Sequence, residues 1–130
     1  MKKLIPILTV FLSFFLFPST SLGEWKHVSN NIDGDQYFVD FDRIREIKGY
    51  VYYWTLGDFK KTLGNGKWLS IRTYEKGDCE RFRFKVITVS LFKGQMVEGE
   101  SFTDDTEREW TYPPPNTPNE EILKSVCEKI

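Results

Sequence analysis

The chain has 130 residues, with 18 basic and 19 acidic side chains and a formal net charge of −1 at pH 7. This length suits a single domain, and the near-neutral balance argues against a nucleic-acid-binding protein, because such proteins are usually strongly basic. Four tryptophans, six tyrosines and eleven phenylalanines supply ample apolar surface for a hydrophobic core.

The first residues have the features of a secretory signal peptide. Lys2 and Lys3 precede an apolar run at residues 4–17, and the small-residue stretch STSLG follows it. As a helix, this run would span roughly 21 Å, which is less than the hydrocarbon core of a membrane, about 30 Å thick. A cleaved signal peptide is therefore favoured over a membrane-spanning anchor.

Cleavage is expected between Gly23 and Glu24, which makes residues 1–23 the signal peptide and residues 24–130 one mature domain. The two lysines leave with the peptide, so the formal net charge moves from −1 to −3. No cysteine follows the apolar run to accept a lipid, and we expect no stable membrane anchor after cleavage. The mature protein is expected in the periplasm or the medium.

Short β-type segments, separated by turn signals, fill most of the mature chain. The predicted strands are WKHVS (25–29), QYFVD (36–40), YVYYWTLGDF (50–59), WLSIRTY (68–74), CERFRFKVITVSLF (79–92) and the shorter MVEGESF (96–102). Asn65-Gly66 and the segment EKGD (75–78) supply turn signals on either side of the fourth strand. These hairpins favour an antiparallel sheet of about six strands.

The fifth predicted strand changes its apolar side part-way. Phe82, Phe84 and Val86 share one parity, whereas Ile87, Val89 and Leu91 share the other. One strand with a single buried face cannot do this, so either a bulge lies near Val86 and Ile87 or the two ends are covered on opposite faces. Cys79 has the parity opposite to the phenylalanines, which requires a second irregularity near Glu80 or a helix on the Ile87 face.

The only two cysteines, Cys79 and Cys127, both remain in the mature chain. In an oxidising compartment such a pair is normally a disulfide. It would close a loop of about 50 residues, worth roughly 4 kcal/mol in the chain-entropy model. A redox role is disfavoured because the spacing is far from C-x-x-C.

The C-terminal segment has the pattern of a helix. Residues 117–120 form a capping box, with proline at the first helical position. The residues that share the apolar face are Ile122, Leu123, Val126, Cys127 and Ile130. A helix of about 12 residues is marginal alone, so it must dock on the sheet. We therefore predict an α+β fold, with one C-terminal helix packed on a sheet face and tethered by the disulfide.

Two rows of side chains are candidate binding residues. Tyr50, Tyr52 and Trp54 share one parity of the third predicted strand, and one helix cannot cover both faces of a sheet. This aromatic row could meet a protein partner or a second copy of the chain, unless a strongly curled sheet buries it.

A basic row is predicted on the fifth strand. Arg81, Arg83 and Lys85 recur at every second residue and would extend about 13 Å along one face. They could meet an acidic partner or a sulfated glycan, or form an ordinary solvated strand face.

Little in the sequence indicates catalysis. His27 is the only histidine, and with both cysteines paired there is no free thiol for a nucleophilic triad. Asp33 and Asp35 flank a turn glycine in a segment that departs from the calcium-loop pattern. We expect no cofactor, no bound metal and no enzymatic activity.

Several features occur in a characteristic order. They are Trp25 at the mature start, a strand ending in Val39-Asp40, Cys79 opening the basic-aromatic segment CERFRFKVITVSLFKGQMVEGE, and WTYPPPNTPNEEILKSVC with a closing cysteine on a terminal helix. Taken together over the whole mature chain, they resemble the surface-adhesin protein E family. This resemblance implies an antiparallel sheet with a disulfide-tethered helix, and a role in attachment to host extracellular proteins. The adhesin that gave the family its name resembles a lipid-anchored protein, whereas this chain lacks the lipid-accepting cysteine.

Two functions follow as hypotheses. The first is a secreted module that binds host or matrix proteins. The second is a periplasmic accessory or inhibitor protein that acts on an envelope component or an enzyme. A third use of the aromatic row is dimerisation of the chain with itself.

Overall fold

The computed structural model describes residues 24–64 and 66–130, so the expected signal peptide at residues 1–23 lies outside the described residues. The strands are β1 (Lys26–Asn30), β2 (Gln36–Val39), β3 (Arg45–Ile47), β4 (Tyr50–Leu63), β5 (Trp68–Asp78), β6 (Arg83–Phe92) and β7 (Ser101–Asp104), followed by one helix, α1 (Pro118–Lys129). A short 3-10 helix, Phe41–Arg43, joins β2 to β3. The predicted α+β class is confirmed.

All seven strands form one antiparallel sheet in the order β1-β2-β4-β5-β6-β7, with β3 paired to the start of β4. The sequence prediction missed β3. It pairs through a two-residue turn at Lys48 and Gly49, whose φ angles are 52° and 85°. Positive φ at both turn residues is typical of the tight hairpins that match strand twist.

The strand β5 continues through the segment EKGD, which the sequence predicted as a turn. Glu75 and Gly77 are buried on the side of the sheet that carries the helix, so these two residues of the segment belong to the core. The turn lies instead at residues 79–82, where Phe82 has a φ of 53°. Asp78 closes this turn because its carboxylate accepts a hydrogen bond from the Arg81 N–H at 3.2 Å.

Both irregularities suspected around the fifth predicted strand are present. Tyr74 pairs with Thr88 and Glu75 pairs with Val86, which leaves Ile87 as the extra residue of a β-bulge. The turn before Arg83 is the second irregularity, so the predicted strand start at residue 79 is wrong. The helix packs on the Phe84 side, and the alternative of a helix on the Ile87 face is not needed.

The segment MVEGESF is mostly a loop rather than a strand. Met96 and Val97 have φ angles of 53° and 55°, and β7 begins only at residue 101. Two side chains of the sheet hold this loop: Asp58 accepts from the Met96 N–H at 2.7 Å, and Ser70 Oγ accepts from the Val97 N–H at 2.9 Å.

The helix α1 begins as predicted, with the Thr117 hydroxyl accepting from the Glu120 N–H at 3.4 Å. Its buried residues, Ile122, Leu123 and Val126, pack on Val39, Val51, Tyr53 and Phe84. The prediction that Ile130 faces the core is wrong, because this C-terminal residue is 53% exposed.

The predicted disulfide joins Cys79 to Cys127, with 5.7 Å between the two Cα atoms. Cys79 opens the turn after β5, and Cys127 lies near the end of α1. The bond therefore fastens the helix to the sheet, as expected from the sequence. No helix in the described part of the chain has both the length and the hydrophobicity to cross a membrane.

Candidate functional site

Side chains alternate between two very different faces of the sheet. Val51 and Tyr53 are buried under α1, whereas Tyr50, Tyr52 and Trp54 lie on the opposite face and are only partly buried. We call this opposite side the helix-free face. It is formed by Tyr50, Tyr52, Trp54, Arg72, Tyr74, Lys76, Arg83, Lys85 and Trp110.

The aromatic rings of the helix-free face contact one another. Tyr74 lies across from the predicted row, with its ring centroid 4.6 Å from Trp54 and 6.1 Å from Tyr52. Trp110 extends the cluster, at 5.7 Å from Tyr50. The predicted aromatic row is therefore part of a larger surface.

Cations alternate with these rings. Lys76 Nζ lies 4.2 Å from the centroid of the Tyr50 ring and 5.8 Å from that of Tyr52. The Arg72 guanidinium lies 5.3 Å from the centroids of both Trp54 and Phe92. Because a cation over an aromatic ring is attracted by the ring's quadrupole, these contacts order the long basic side chains.

The predicted basic row is only partly present. Arg83 and Lys85 lie on β6, 4.3 and 4.7 Å from the Trp110 ring centroid. Arg81 lies in the preceding turn, so its inclusion in the row was wrong. The two row members are also neutralised, since Arg83 pairs with Asp78 at 2.9 Å and Lys85 with Glu107 at 3.0 Å.

The ion pair of Arg83 with Asp78 affects the titration of the carboxyl. Desolvation alone would raise the pKa of Asp78. The hydrogen bonds from the Arg83 side chain and the Arg81 N–H outweigh this effect and hold the pKa below its ordinary value. Asp78 is therefore a structural anion of the turn.

Arg72 and Lys76 are the charges that remain. Within the described residues, neither forms an ion pair with a carboxylate. Both come from the middle of β5, opposite Leu56 and Tyr52 of β4. The centre of the helix-free face is thus positively charged and aromatic.

A cavity with a volume of about 370 Å³ opens at one edge of this face. Its lining comprises Trp25, Asp40, Arg43, Trp54, Arg72 and residues 96–98. The loop that Asp58 and Ser70 hold in place forms one wall, and the segment around the 3-10 helix forms another.

A sequence profile described as surface-adhesin protein E matches residues 25–128. The chain belongs to the surface-adhesin protein E family. This membership places it among surface adhesins, a class of exported proteins.

Solved structures show the same fold. Crystal form II of Haemophilus influenzae protein E has a TM-score of 0.64 at 15% sequence identity, covering 87% of this chain and 94% of that chain. The selenomethionine form of H. influenzae protein E has a TM-score of 0.61 at 14% identity, covering 87% and 93%. Protein E from non-typeable H. influenzae has a TM-score of 0.52 at 14% identity, covering 87% and 79%. A comparison with curated proteins gives no match.

In this member of the adhesin family, two residues considered for catalysis, His27 and Asp35, form hydrogen bonds with neighbouring parts of the sheet. His27 is exposed and its Nε2 lies 2.6 Å from Asn30 Oδ1. Asp35 accepts a hydrogen bond from the Lys60 N–H at 2.8 Å, which ties the β1–β2 turn to β4. Across residues 24–64 and 66–130, no three His, Cys, Asp or Glu side chains are grouped to hold a metal.

A buried carboxyl lies on the helix side of the adhesin's sheet. Glu75 accepts from the Thr73 hydroxyl at 2.7 Å. Burial raises the pKa of Glu75 to about 7, although the neighbouring Thr73 and Tyr53 hydroxyls act in the opposite direction. The same burial, together with the charge of Glu75, raises the pKa of Tyr53 well above its ordinary value.

Sequence reasoning missed Arg72, Tyr74, Lys76 and Trp110. The signal for the first two was present, since Arg72 and Tyr74 share a parity within the predicted strand 68–74. Their association with the aromatic row depends on the register between β4 and β5, in which Trp54 is paired with Tyr74 and Tyr52 with Lys76.

Proposed function

We propose that this member of the surface-adhesin protein E family is a secreted, non-enzymatic module that binds an extracellular or host-matrix protein. The observation that carries the proposal is the helix-free face, where Arg72 and Lys76 lie among partly exposed rings without a carboxylate partner in the described chain. Family membership favours an extracellular protein as the partner. The signal-peptide pattern at residues 1–23 predicts that the chain is exported.

The arrangement of the rings suits protein binding. Tyr50, Tyr52 and Trp54 are fixed to a long central strand, and Tyr74 and Trp110 hold them from the side. Side chains that are already ordered lose little entropy when a partner binds. Tyrosine, tryptophan and arginine are also the residue types most enriched in binding hot spots.

The positive charge of the helix-free face favours an acidic partner. Arg83 and Lys85 are neutralised by Asp78 and Glu107, so the available positive charge is central rather than peripheral. We propose that an acidic segment of the partner, with apolar side chains beside its carboxylates, covers Lys76 and the rings around it. Such complementarity raises association rates and specificity.

Affinity capture tests this proposal. The oxidised exported chain, residues 24–130, is immobilised at physiological salt and offered host matrix and serum proteins in one arm and periplasmic extract in the other. The informative variant is Tyr52→Ala with Lys76→Ala. Its matched control is Phe102→Ala with Lys61→Ala, which removes an equivalent ring and charge from exposed positions off the face.

We expect specific capture of matrix proteins, a loss of tenfold or more in the face variant, and no change in the control variant. Equal capture by both variants would exclude the helix-free face as the binding surface. Capture from the periplasmic extract alone would favour the accessory or inhibitor function instead. Sedimentation of the free chain measures its oligomeric state. A homodimer would indicate that the helix-free face binds a second copy of the chain.

A further inference from the structure

The cavity beside Trp54 has the size and composition of a small-molecule site. Its volume of about 370 Å³ lies in the range of ligand pockets. Trp25 and Trp54 supply aromatic surface, and Arg72 supplies a charge. On the rest of the helix-free face, Lys76 lies over Tyr50 and Arg83 lies over Trp110.

Arg72 has a hydrogen-bond donor in this cavity without a partner among the described residues. Its guanidinium is held over the rings of Trp54 and Phe92. Its Nε is buried and has no hydrogen-bond partner among the described residues. When a guanidinium stacks on aromatic rings, its faces are occupied but the N–H donors at its edge can still form hydrogen bonds. These donors lie in one plane and match the two oxygens of a carboxylate.

The two carboxylates in the lining do not satisfy Arg72. Asp40 Oδ2 lies 3.3 Å from Arg43 Nε, and Asp40 Oδ1 accepts from the Asp42 N–H at 3.1 Å. Glu98 is exposed at the rim. Asp40 is buried at the base of the cavity, with its side chain 2% exposed, whereas the exposed Glu98 can accept a hydrogen bond from a hydroxyl group of a ligand.

We propose that this cavity binds a pyranose sugar that carries a carboxylate, such as a hexuronic or sialic acid residue. The carboxylate pairs with Arg72, the apolar C–H face of the ring stacks on Trp25 or Trp54, and a hydroxyl donates to Glu98. A peptide C-terminus also offers a carboxylate, but it lacks the C–H face of a pyranose ring and the ring hydroxyls. This site goes beyond the proposed protein-binding function, because it needs no protein partner.

The test is a titration of the oxidised protein followed by ¹H–¹⁵N NMR, which resolves the indole N–H groups and the Arg72 Nε–H. The probes are methyl glucuronide and the methyl glycoside of N-acetylneuraminic acid, with methyl glucoside as the neutral sugar and sodium acetate as the bare carboxylate. The variants are Arg72→Gln, Trp25→Ala and, as a control, Lys61→Gln, which removes an exposed charge that does not line the cavity. Trp25 precedes β1, so its removal tests the site without disturbing a strand.

We expect at least one acidic glycoside to shift the Trp25, Trp54 and Arg72 resonances and to bind about tenfold or more tightly than the neutral glycoside and acetate, as for a charge-assisted bidentate contact. Arg72→Gln abolishes the preference for the acidic sugar, and Trp25→Ala weakens binding of the glycoside. The control Lys61→Gln changes neither by more than about twofold. Equal binding of acidic and neutral glycosides overturns the proposal. So does acetate binding as tightly as the sugars, or an undiminished preference in Arg72→Gln.

Discussion

Gly77 faces Leu123 where α1 crosses the sheet, and a Cβ atom built on Gly77 would lie 3.0 Å from Leu123 Cδ1. The same atom would lie 2.9 Å from Val51 Cγ2. Real Cβ atoms essentially never come within 3.0 Å of another atom, and a contact of 3.0 Å is tighter than nine in ten real Cβ contacts. The absence of a side chain at residue 77 therefore makes room for both Val51 and the helix residue Leu123.

Replacing Gly77 by Ala should therefore destabilise the fold. In an unconstrained strand, a Gly→Ala change stabilises slightly through the unfolded chain, whereas overpacking a core costs about 1–3 kcal/mol. We expect the second effect to dominate in urea unfolding of Gly77→Ala. Lys61→Ala, on the exposed end of β4, is the control and should change the stability by less than about 0.5 kcal/mol. An unchanged midpoint for Gly77→Ala would show that Val51 and Leu123 can move aside at no cost.

The disulfide should contribute a large part of the stability. Cys79 and Cys127 are 48 residues apart, and a cross-link over a loop of that size is worth about 4 kcal/mol in the chain-entropy model. The double variant Cys79→Ser with Cys127→Ser should lower the free energy of unfolding by an amount of this order. Urea unfolding measures it, with the reduced, alkylated wild-type chain as an independent comparison.

The intact mass of the native chain before and after reduction checks the bond itself. Reduction should add two hydrogens, and alkylation before reduction should add nothing. Two thiols that alkylate in the native protein would exclude the tethered helix.

The parts of the fold that could be predicted are those with a local signal. The start of α1 follows from the Thr117 cap and the proline after it, and the helix period marks its buried face. The change of apolar parity predicted either a bulge near Val86 and Ile87 or two ends covered on opposite faces, and the structure has the bulge. The disulfide followed from there being two cysteines in an exported chain.

The parts that could not be predicted depend on distant neighbours. Glu75 and Gly77 have the composition of a turn, and they extend β5 because each is paired with β4 on one side and β6 on the other. For the candidate site, Tyr50, Tyr52 and Trp54 were identified from one strand alone. Their cationic neighbours come from the pairing register of a second strand, and Arg81 was misplaced because its strand begins two residues later.

The turn that displaces Arg81 depends on Asp78. Its carboxylate accepts from Arg83 Nε at 2.9 Å and from the Arg81 N–H at 3.2 Å. Asp78→Ala leaves a partly buried guanidinium and an amide without these partners, so we expect a loss of about 1–3 kcal/mol in urea unfolding. Asp104→Ala removes a more exposed ion pair with Arg108 and is the control, with an expected loss under about 1 kcal/mol. Equal losses in the two variants would mean that Asp78 contributes no more than a surface anion.

Glu75 should make the stability depend on pH. Its pKa is about 7 in the folded chain against an ordinary value of 4.5. Between pH 4.5 and pH 7, Glu75 keeps a proton in the folded chain that it has lost in the unfolded chain. Raising the pH through this range therefore favours unfolding. The contribution of Glu75 is fully present below about pH 4.5 and is lost by about pH 7, which amounts to about 3 kcal/mol at 1.36 kcal/mol per unit.

Glu75→Gln isolates this contribution from that of the other titrating groups. The amide keeps an oxygen that can accept from the Thr73 hydroxyl, and it carries no charge at any pH. Urea unfolding of both proteins at pH 4.5, 5.5, 6.5 and 8 should show that the variant gains stability relative to the wild type as the pH rises, levelling off above pH 7. A stability difference that is the same at all four pH values would mean that the pKa of Glu75 is not raised by burial. In that case the buried carboxyl would already be largely ionised in the folded chain at pH 5.5 and above.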